Sequence, residues 1–318
     1  MVFGKHHVPL RGMVGLSRPR AMAGRDRLIE VASLMTRNPA FLPWFIIPAA
    51  LTALGLIVAM FAVMQFSVRA YIPGSLDVGG LTLANFTGLF KSLYAEAFMT
   101  TVALSAKTAV FGLLMSYPLA YGFIRARTTL MKSTIMIIAI SPLFLGEVVR
   151  TYSWIIVLGN SGFLNSLLLG LGIIHTPFQF MFTQIGVVVA LVHVTMPIMV
   201  LMLAAALSHI DPDYEKAATS LGAGPIRTLL TVTIPLSIPG IVSSLATAFA
   251  WTFSAFATPQ LIGGGRVSTV ATLVYQLGFS SMNFPFAAAL SIAGLILTVV
   301  LLMAIKRMTR VLRALGEQ

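Results

Sequence analysis

Six runs of predominantly apolar residues divide the chain, at 44–66, 99–123, 134–158, 185–207, 236–257 and 286–305. An α-helix advances about 1.5 Å per residue, so about 20 residues cross the roughly 30 Å hydrocarbon core of a bilayer. Apolar side chains occupy every face of these runs rather than one stripe, which predicts spanning helices and not amphipathic surface helices. A seventh apolar segment, 162–174, is about thirteen residues long. That is too short to cross, so it reads as a loop helix that lies at the interface or re-enters. Pro118, Pro142, Pro197 and Pro239 fall inside the runs, where each removes a backbone donor and kinks or breaks its helix. Pro142 and Pro197 are therefore also places where the inner halves of helices can move. The predicted fold class is all-α, a polytopic membrane protein with six transmembrane helices.

Composition agrees with the pattern. Of 318 residues 58% are apolar and 9% charged, too little polar surface to cover a soluble domain. The predicted organisation is a basic N-terminal segment, 1–43, followed by one membrane domain, 44–318. The first apolar run begins too late and extends too far for a cleavable signal. With no cysteine, disulfides, thiolate metal sites and a cysteine nucleophile are excluded.

The formal net charge of +12 does not point to nucleic acid, because Lys and Arg gather between the apolar runs instead of forming one face. They orient the chain. Lys5, Arg11, Arg18, Arg20, Arg25, Arg27 and Arg37 precede the first run, and Lys306, Arg307, Arg310 and Arg313 follow the last. Arg125, Arg127 and Lys132 lie between runs two and three, and Lys216 and Arg227 between runs four and five. Only Arg69, Lys91 and Arg266 fall in the alternate loops. Positive residues are retained on the cytoplasmic side, so both termini are predicted there, as an even number of spans requires.

The loop 208–235 carries the most specific signal. Asp211 or Asp213 can cap a helix, 214–221 is a good helix former, Gly222 supplies a stop and Pro225 suits the first turn of a second helix. The prediction is a helical elbow whose small Ala217 and Ala218 let another protein approach closely. From Ala217 through Ala218 and Gly222 to Pro235, the segment resembles the EAA loop of ABC importer permeases. That pattern runs Glu-Ala-Ala, three residues, Gly, nine residues, Ile, one residue, Leu-Pro. Val232 and Ile234 stand at its Ile and Leu positions, and Lys216 occupies its acidic position, with Glu215 adjacent. The resemblance implies a type I ABC importer permease fold and a coupling helix seated in a cleft of an ATPase subunit. Glu215, Lys216, Ala217, Ala218, Leu221, Gly222 and Pro235 are then the coupling residues.

Three further stretches narrow the resemblance: Ser-Tyr-Pro-Leu-Ala-Tyr at 116–121, Val-Arg-Thr-Tyr-Ser-Trp at 149–154 and Ala-Phe-Ala-Thr-Pro-Gln-Leu-Ile-Gly-Gly at 255–264. Together they are similar to the first of the two nonidentical membrane subunits of spermidine/putrescine-type systems. Ala255 replaces the acid that many polyamine-type members carry before this Phe. The resemblance implies a second permease subunit completing a heterodimer, two ATPase subunits, a periplasmic substrate-binding protein and a bacterial inner-membrane location. It implies no nucleic acid and no enzyme activity in this chain. No cofactor is expected here, since ATP and Mg would bind the ATPase subunits; Gly263, Gly264, Gly265 and Arg266 lack the Lys-Ser/Thr ending of a phosphate-cradling loop. A polyamine or related small charged solute is the expected cargo. An anionic or zwitterionic solute (carboxylate, opine-like or phosphonate) or ferric iron is the alternative.

Lys107, Glu147 and Arg150 lie within the predicted spans, where an ionisable group is costly. Counted from the inner ends of their helices, Lys107 and Glu147 share a depth, which predicts an ion pair, with Arg150 held by carbonyls. The competing reading has one or more of these three line the substrate path, together with Tyr152, Trp251, Phe256 and Thr258, and the two-to-one positive excess of the three then favours an anionic or zwitterionic cargo. His175 and His193 are too far apart in sequence, with no carboxylate in register, to be read as a metal site. An ATP-independent secondary transporter also fits six kinked spans, but it has no use for a docking elbow. No hydrolase or metalloprotease motif supports a membrane enzyme.

Overall fold

The computed structural model describes residues 42–75 and 77–316. The basic segment read at 1–43, with Lys5 to Arg37, lies outside the described residues apart from its last two. Chain contacts define two compact units, Met1–Phe61 and Ala62–Gln318. In the first, helix α1 (Leu42–Ser67) begins, and its described side chains up to Phe61 are all exposed. An apolar helix exposed on all sides needs lipid or protein around it.

The second unit opens with an antiparallel hairpin, β1 (Arg69–Tyr71) and β2 (Val78–Leu81). Asn85, in the short α2 (Ala84–Gly88), clamps its base by donating from Nδ2 to the carbonyls of Ser67 and Arg69 at 2.9 and 2.8 Å. The hairpin is a small departure from the all-α expectation.

The core is built from α3 (Ser92–Arg125), α7 (Gln184–Ser208) and α10 (Ile234–Ser254). On α3 the buried face runs through Ala97, Thr101, Leu104, Ser105, Thr108, Ala109, Gly112, Ser116 and Ala120. Small residues at this spacing let helix backbones approach closely, which is how helices associate where lipid removes the hydrophobic drive. A Cβ on Gly112 would sit 2.8 Å from Met199 Sδ, and one on Gly240 would collide with the Cβ of Ala206. Hydroxyls cross the same seam, with Tyr117 Oη and Ser237 Oγ 2.9 Å apart.

The third apolar run departs from expectation. In place of one helix over 134–158 there are α4 (Thr129–Ile140), a 3₁₀ turn (Ser141–Phe144) and α5 (Glu147–Leu158), followed by α6 (Phe163–Gly170). Pro142 cannot donate into a helix, and Leu145 and Gly146 turn extended, with ψ of 126° and 148°. The stretch long and apolar enough to cross is Glu147–Gly170, joining α5 to the loop helix, whereas Thr129–Phe144 is too short. Six candidate spans remain: Ile46–Ser67, Ser92–Arg125, Glu147–Gly170, Gln184–Ser208, Pro225–Ser254 and Phe284–Arg307. The last belongs to α13 (Phe284–Gly316), which follows the short α12 (Val270–Tyr275).

Candidate functional site

The elbow follows α7 directly. In α8 (Pro212–Ser220) the N-cap is Asp211, whose Oδ1 accepts the amide of Asp213 at 2.9 Å, and Pro212 takes the first turn. Asp213 and Glu215 lie in that turn, where the helix dipole favours negative charge. The helix stops at Gly222, with φ of +84°, a conformation that glycine adopts without penalty. There the amide of Ala223 bonds the carbonyl of Ala218 at 3.1 Å, and that of Gly222 bonds Thr219 at 3.0 Å, a Schellman closure. A short second helix, α9 (Pro225–Thr228), then leads through a π-turn (Leu229–Thr233) into α10. Pro235 stands where the π-turn passes into α10, and its missing donor leaves a gap in the otherwise continuous helical stretch Pro225–Ser254.

Two opposite faces result. Tyr214, Leu221, Ile226 and Leu230 are exposed apolar side chains, Leu221 at 89%. Ala217 is exposed and Ala218 half-buried. Lys216 also points outward and bonds Asp213 Oδ1 at 2.7 Å; that hydrogen bond and the Asp213 charge raise its pKa above the usual lysine value. Glu215 turns the other way. Its Oε2 lies 3.0 Å from Arg125 Nε, and its Oε1 accepts from Arg125 Nη2 at 3.2 Å and from Thr233 Oγ1 at 2.8 Å. Arg125 ends α3 and Thr233 ends the π-turn, so this carboxylate links the elbow to two long helices. The sequence reading missed this link, although Arg125 and Glu215 both fall in loops assigned to the same side.

Above the elbow, one face of α10 lines a groove of about 790 Å³ together with Leu302, Ile305 and Lys306 of α13. Pro239, Ser243, Thr247, Trp251 and Ser254 recur along it at helical spacing. A second groove, of about 590 Å³, shares Pro239 and Ser243 and reaches Tyr214 of the elbow.

Among the predicted path residues, Glu147, Arg150 and Tyr152 share α5, which packs on the helix of Thr258, whereas Trp251 and Lys107 line separate grooves. Trp251 lines the α10 groove. Lys107 lies in a separate apolar groove, where its Nζ donates to Gln184 Oε1 at 3.0 Å. The expected Lys107–Glu147 pair is not formed: the two ion pairs among the described residues are Arg125–Glu215 and Lys216–Asp213, and Glu147 is exposed at the start of α5. Its helix begins at residue 147, so counting depth along a continuous span misplaced it. Arg150 is held by a carbonyl, as expected; it is 7% exposed and donates from Nη1 to Pro142 O at 3.0 Å. Tyr152 is exposed. Thr258 is buried in α11 (Ala257–Gly263), its hydroxyl 3.3 Å from that of Thr151. Phe256 stands against Tyr275 at 4.7 Å between ring centroids, and Tyr275 stacks on Phe279 at 5.1 Å. His193 Nδ1 accepts from Trp154 Nε1 at 3.2 Å.

Six candidate spans with a capped, exposed elbow between the fourth and fifth are the features of the permease subunit of an ABC importer, in a multi-pass membrane fold. Residues 108–314 match the family of binding-protein-dependent transport system inner membrane components, and the chain belongs to that family. It is 28% identical over 232 residues to the spermidine/putrescine transport system permease protein PotB of Haemophilus influenzae, covering 73% of this chain and 81% of that one. It is 32% identical over 193 residues to the molybdenum transport system permease protein ModB of Mycobacterium bovis, covering 59% and 71%. Among solved structures, it superposes with a TM-score of 0.68 at 17% identity on a chain of a bacterial ABC transporter involved in import of the acidic polysaccharide alginate, covering 88% of this chain and 98% of that chain.

Proposed function

We propose that this chain pairs with a second permease in a bacterial inner membrane, is driven through α8 by separate ATPase subunits, and passes a polyamine or related small cation along the α10 groove. Both termini are cytoplasmic in this reading, which puts the elbow on the side of ATP, and a periplasmic binding protein delivers the cargo. The chain itself holds neither nucleotide nor metal and performs no catalysis.

The observation that carries the cargo assignment is the hydrogen-bonding state of the groove. Ser243, Thr247 and Ser254 each donate their one hydroxyl proton to a carbonyl of their own helix, at Pro239 (2.8 Å), Ser243 (2.9 Å) and Trp251 (3.0 Å). A hydroxyl so engaged retains only acceptor capacity, which suits an ammonium, a group with donors and no acceptor. Trp251 adds an aromatic ring, the best side-chain partner for a cation. Arg150 is bound to a backbone carbonyl and Lys107 lies in another groove, so of the residues lining this groove Lys306 alone is charged, and it belongs to the basic cluster that follows the last span. The similarity to PotB points the same way. The test is ATP-dependent uptake of labelled spermidine, putrescine and glutamate by the reconstituted complex. The expected result is polyamine uptake, slowed by about 10-fold in Trp251→Leu. Uptake of glutamate without polyamine would support the anionic alternative instead.

A further inference from the structure

Glu215 precedes the position at which the elbow pattern carries its acid, and one residue of helix turns a side chain by about 100°. The turn directs this carboxylate into the protein. Three elements meet at this carboxylate: α8 supplies Glu215, the end of α3 supplies Arg125, and the π-turn before α10 supplies Thr233; Arg125 Nη2 in turn donates to the carbonyl of Ile210, just beyond α7, at 3.5 Å. Glu215 and Arg125 are 15% and 21% exposed, so the pair is shielded, unlike the open Lys216–Asp213 pair. Oε1 takes charge-assisted hydrogen bonding from Arg125 together with the Thr233 hydroxyl, and Oε2 adds an ion contact with Nε at 3.0 Å.

Thr233 closes a π-turn, a local widening of the helical ladder that recurs at functional sites. Its hydroxyl binds the same Oε1 that takes Arg125, so the loosened start of α10 is fixed to the elbow through Glu215. A displacement of α8 relative to the membrane therefore has to move α3 and α10, or break this contact.

We propose that the Arg125–Glu215 pair, with Thr233, is the pin that transmits motion of the elbow to the membrane helices. It rests on the reading that an ATPase subunit grips α8. Glu215 and Arg125 are positioning residues: they act through the helices they join and touch no cargo. Without the pin, α8 moves with the ATPase while α3 and α10 lag, so ATP hydrolysis continues and transport does not follow.

The experiment uses the assembled complex in proteoliposomes, with its ATPase subunits and binding protein, and reads three quantities: ATPase subunit retained on purification, hydrolysis stimulated by the binding protein, and solute moved per ATP. For Glu215→Gln and Arg125→Met, the expected result is normal retention and hydrolysis, with solute per ATP falling about 5-fold or more. Thr233→Val leaves the ion pair in place and lowers the same ratio. The exchanged pair, Arg125→Glu with Glu215→Arg, restores it to within about 2-fold of the original. If subunit retention, hydrolysis and transport fall together in every variant, or if the ratio never changes, the pair is only structural and the proposal is overturned. Failure of the unaltered complex to retain an ATPase subunit would sink the underlying reading, a result distinct from either.

Discussion

Arg150 donates from Nη1 to the backbone carbonyl of Pro142 across 3.0 Å and so bridges the break in the third apolar run. Pro142 ends the helical ladder and turns its carbonyl out of it. The amide of Leu145 reaches that carbonyl at 3.3 Å, and the guanidinium supplies the charged donor. Arg150→Met keeps the stem and removes the charged donor while Leu145 still bonds the carbonyl, and is expected to lower stability by about 1.5–3 kcal/mol, the contribution of a hydrogen bond made by a charged group. Thermal unfolding in detergent measures it. An unchanged midpoint would mean that the break holds without the arginine.

Gly112 and Gly240 both sit at close helix approaches, but their neighbours differ in kind. A methyl on Gly112 meets the thioether of Met199, a flexible side chain that can shift; one on Gly240 meets the Cβ of Ala206, which cannot move without its backbone. Gly240→Ala is therefore expected to cost about 1–3 kcal/mol through overpacking, and Gly112→Ala distinctly less. The same unfolding assay ranks them, and a reversed order would contradict the packing described for α7 and α10.

Lys107 and Glu147 make no contact, so their substitutions should act independently. In a double-mutant cycle with Lys107→Met and Glu147→Gln, the interaction energy is expected to stay within about 0.5 kcal/mol of zero. A larger coupling would restore the ion pair that depth along the sequence suggests.

How far the chain can be read in advance follows from the range of the interactions. The spans depend on consecutive apolar residues, and the elbow on Asp211, Pro212, Gly222 and Pro225 within fifteen positions; both are local, and both appear in the structure. Pro142 was visible as a kink. That it ends the helix depends on Gly146 and on Arg150 reaching back, so the third span moved towards the C-terminus. Glu215 meets Arg125 from ninety residues away, and no periodicity announces such a pairing. Which face of α10 borders a groove is illegible for the same reason, since only the packing of α10 against α13 shows it.

The most direct test of the account is whether the elbow is covered by an ATPase subunit. Because the chain has no cysteine, Leu221→Cys introduces a single thiol at a side chain 89% exposed in the isolated subunit. In the complete complex this thiol should be protected from maleimide and should cross-link to an ATPase subunit, and it should label freely once those subunits are stripped away. Equal labelling in both states, with no cross-link, would contradict the claim that α8 is the element through which ATP drives transport.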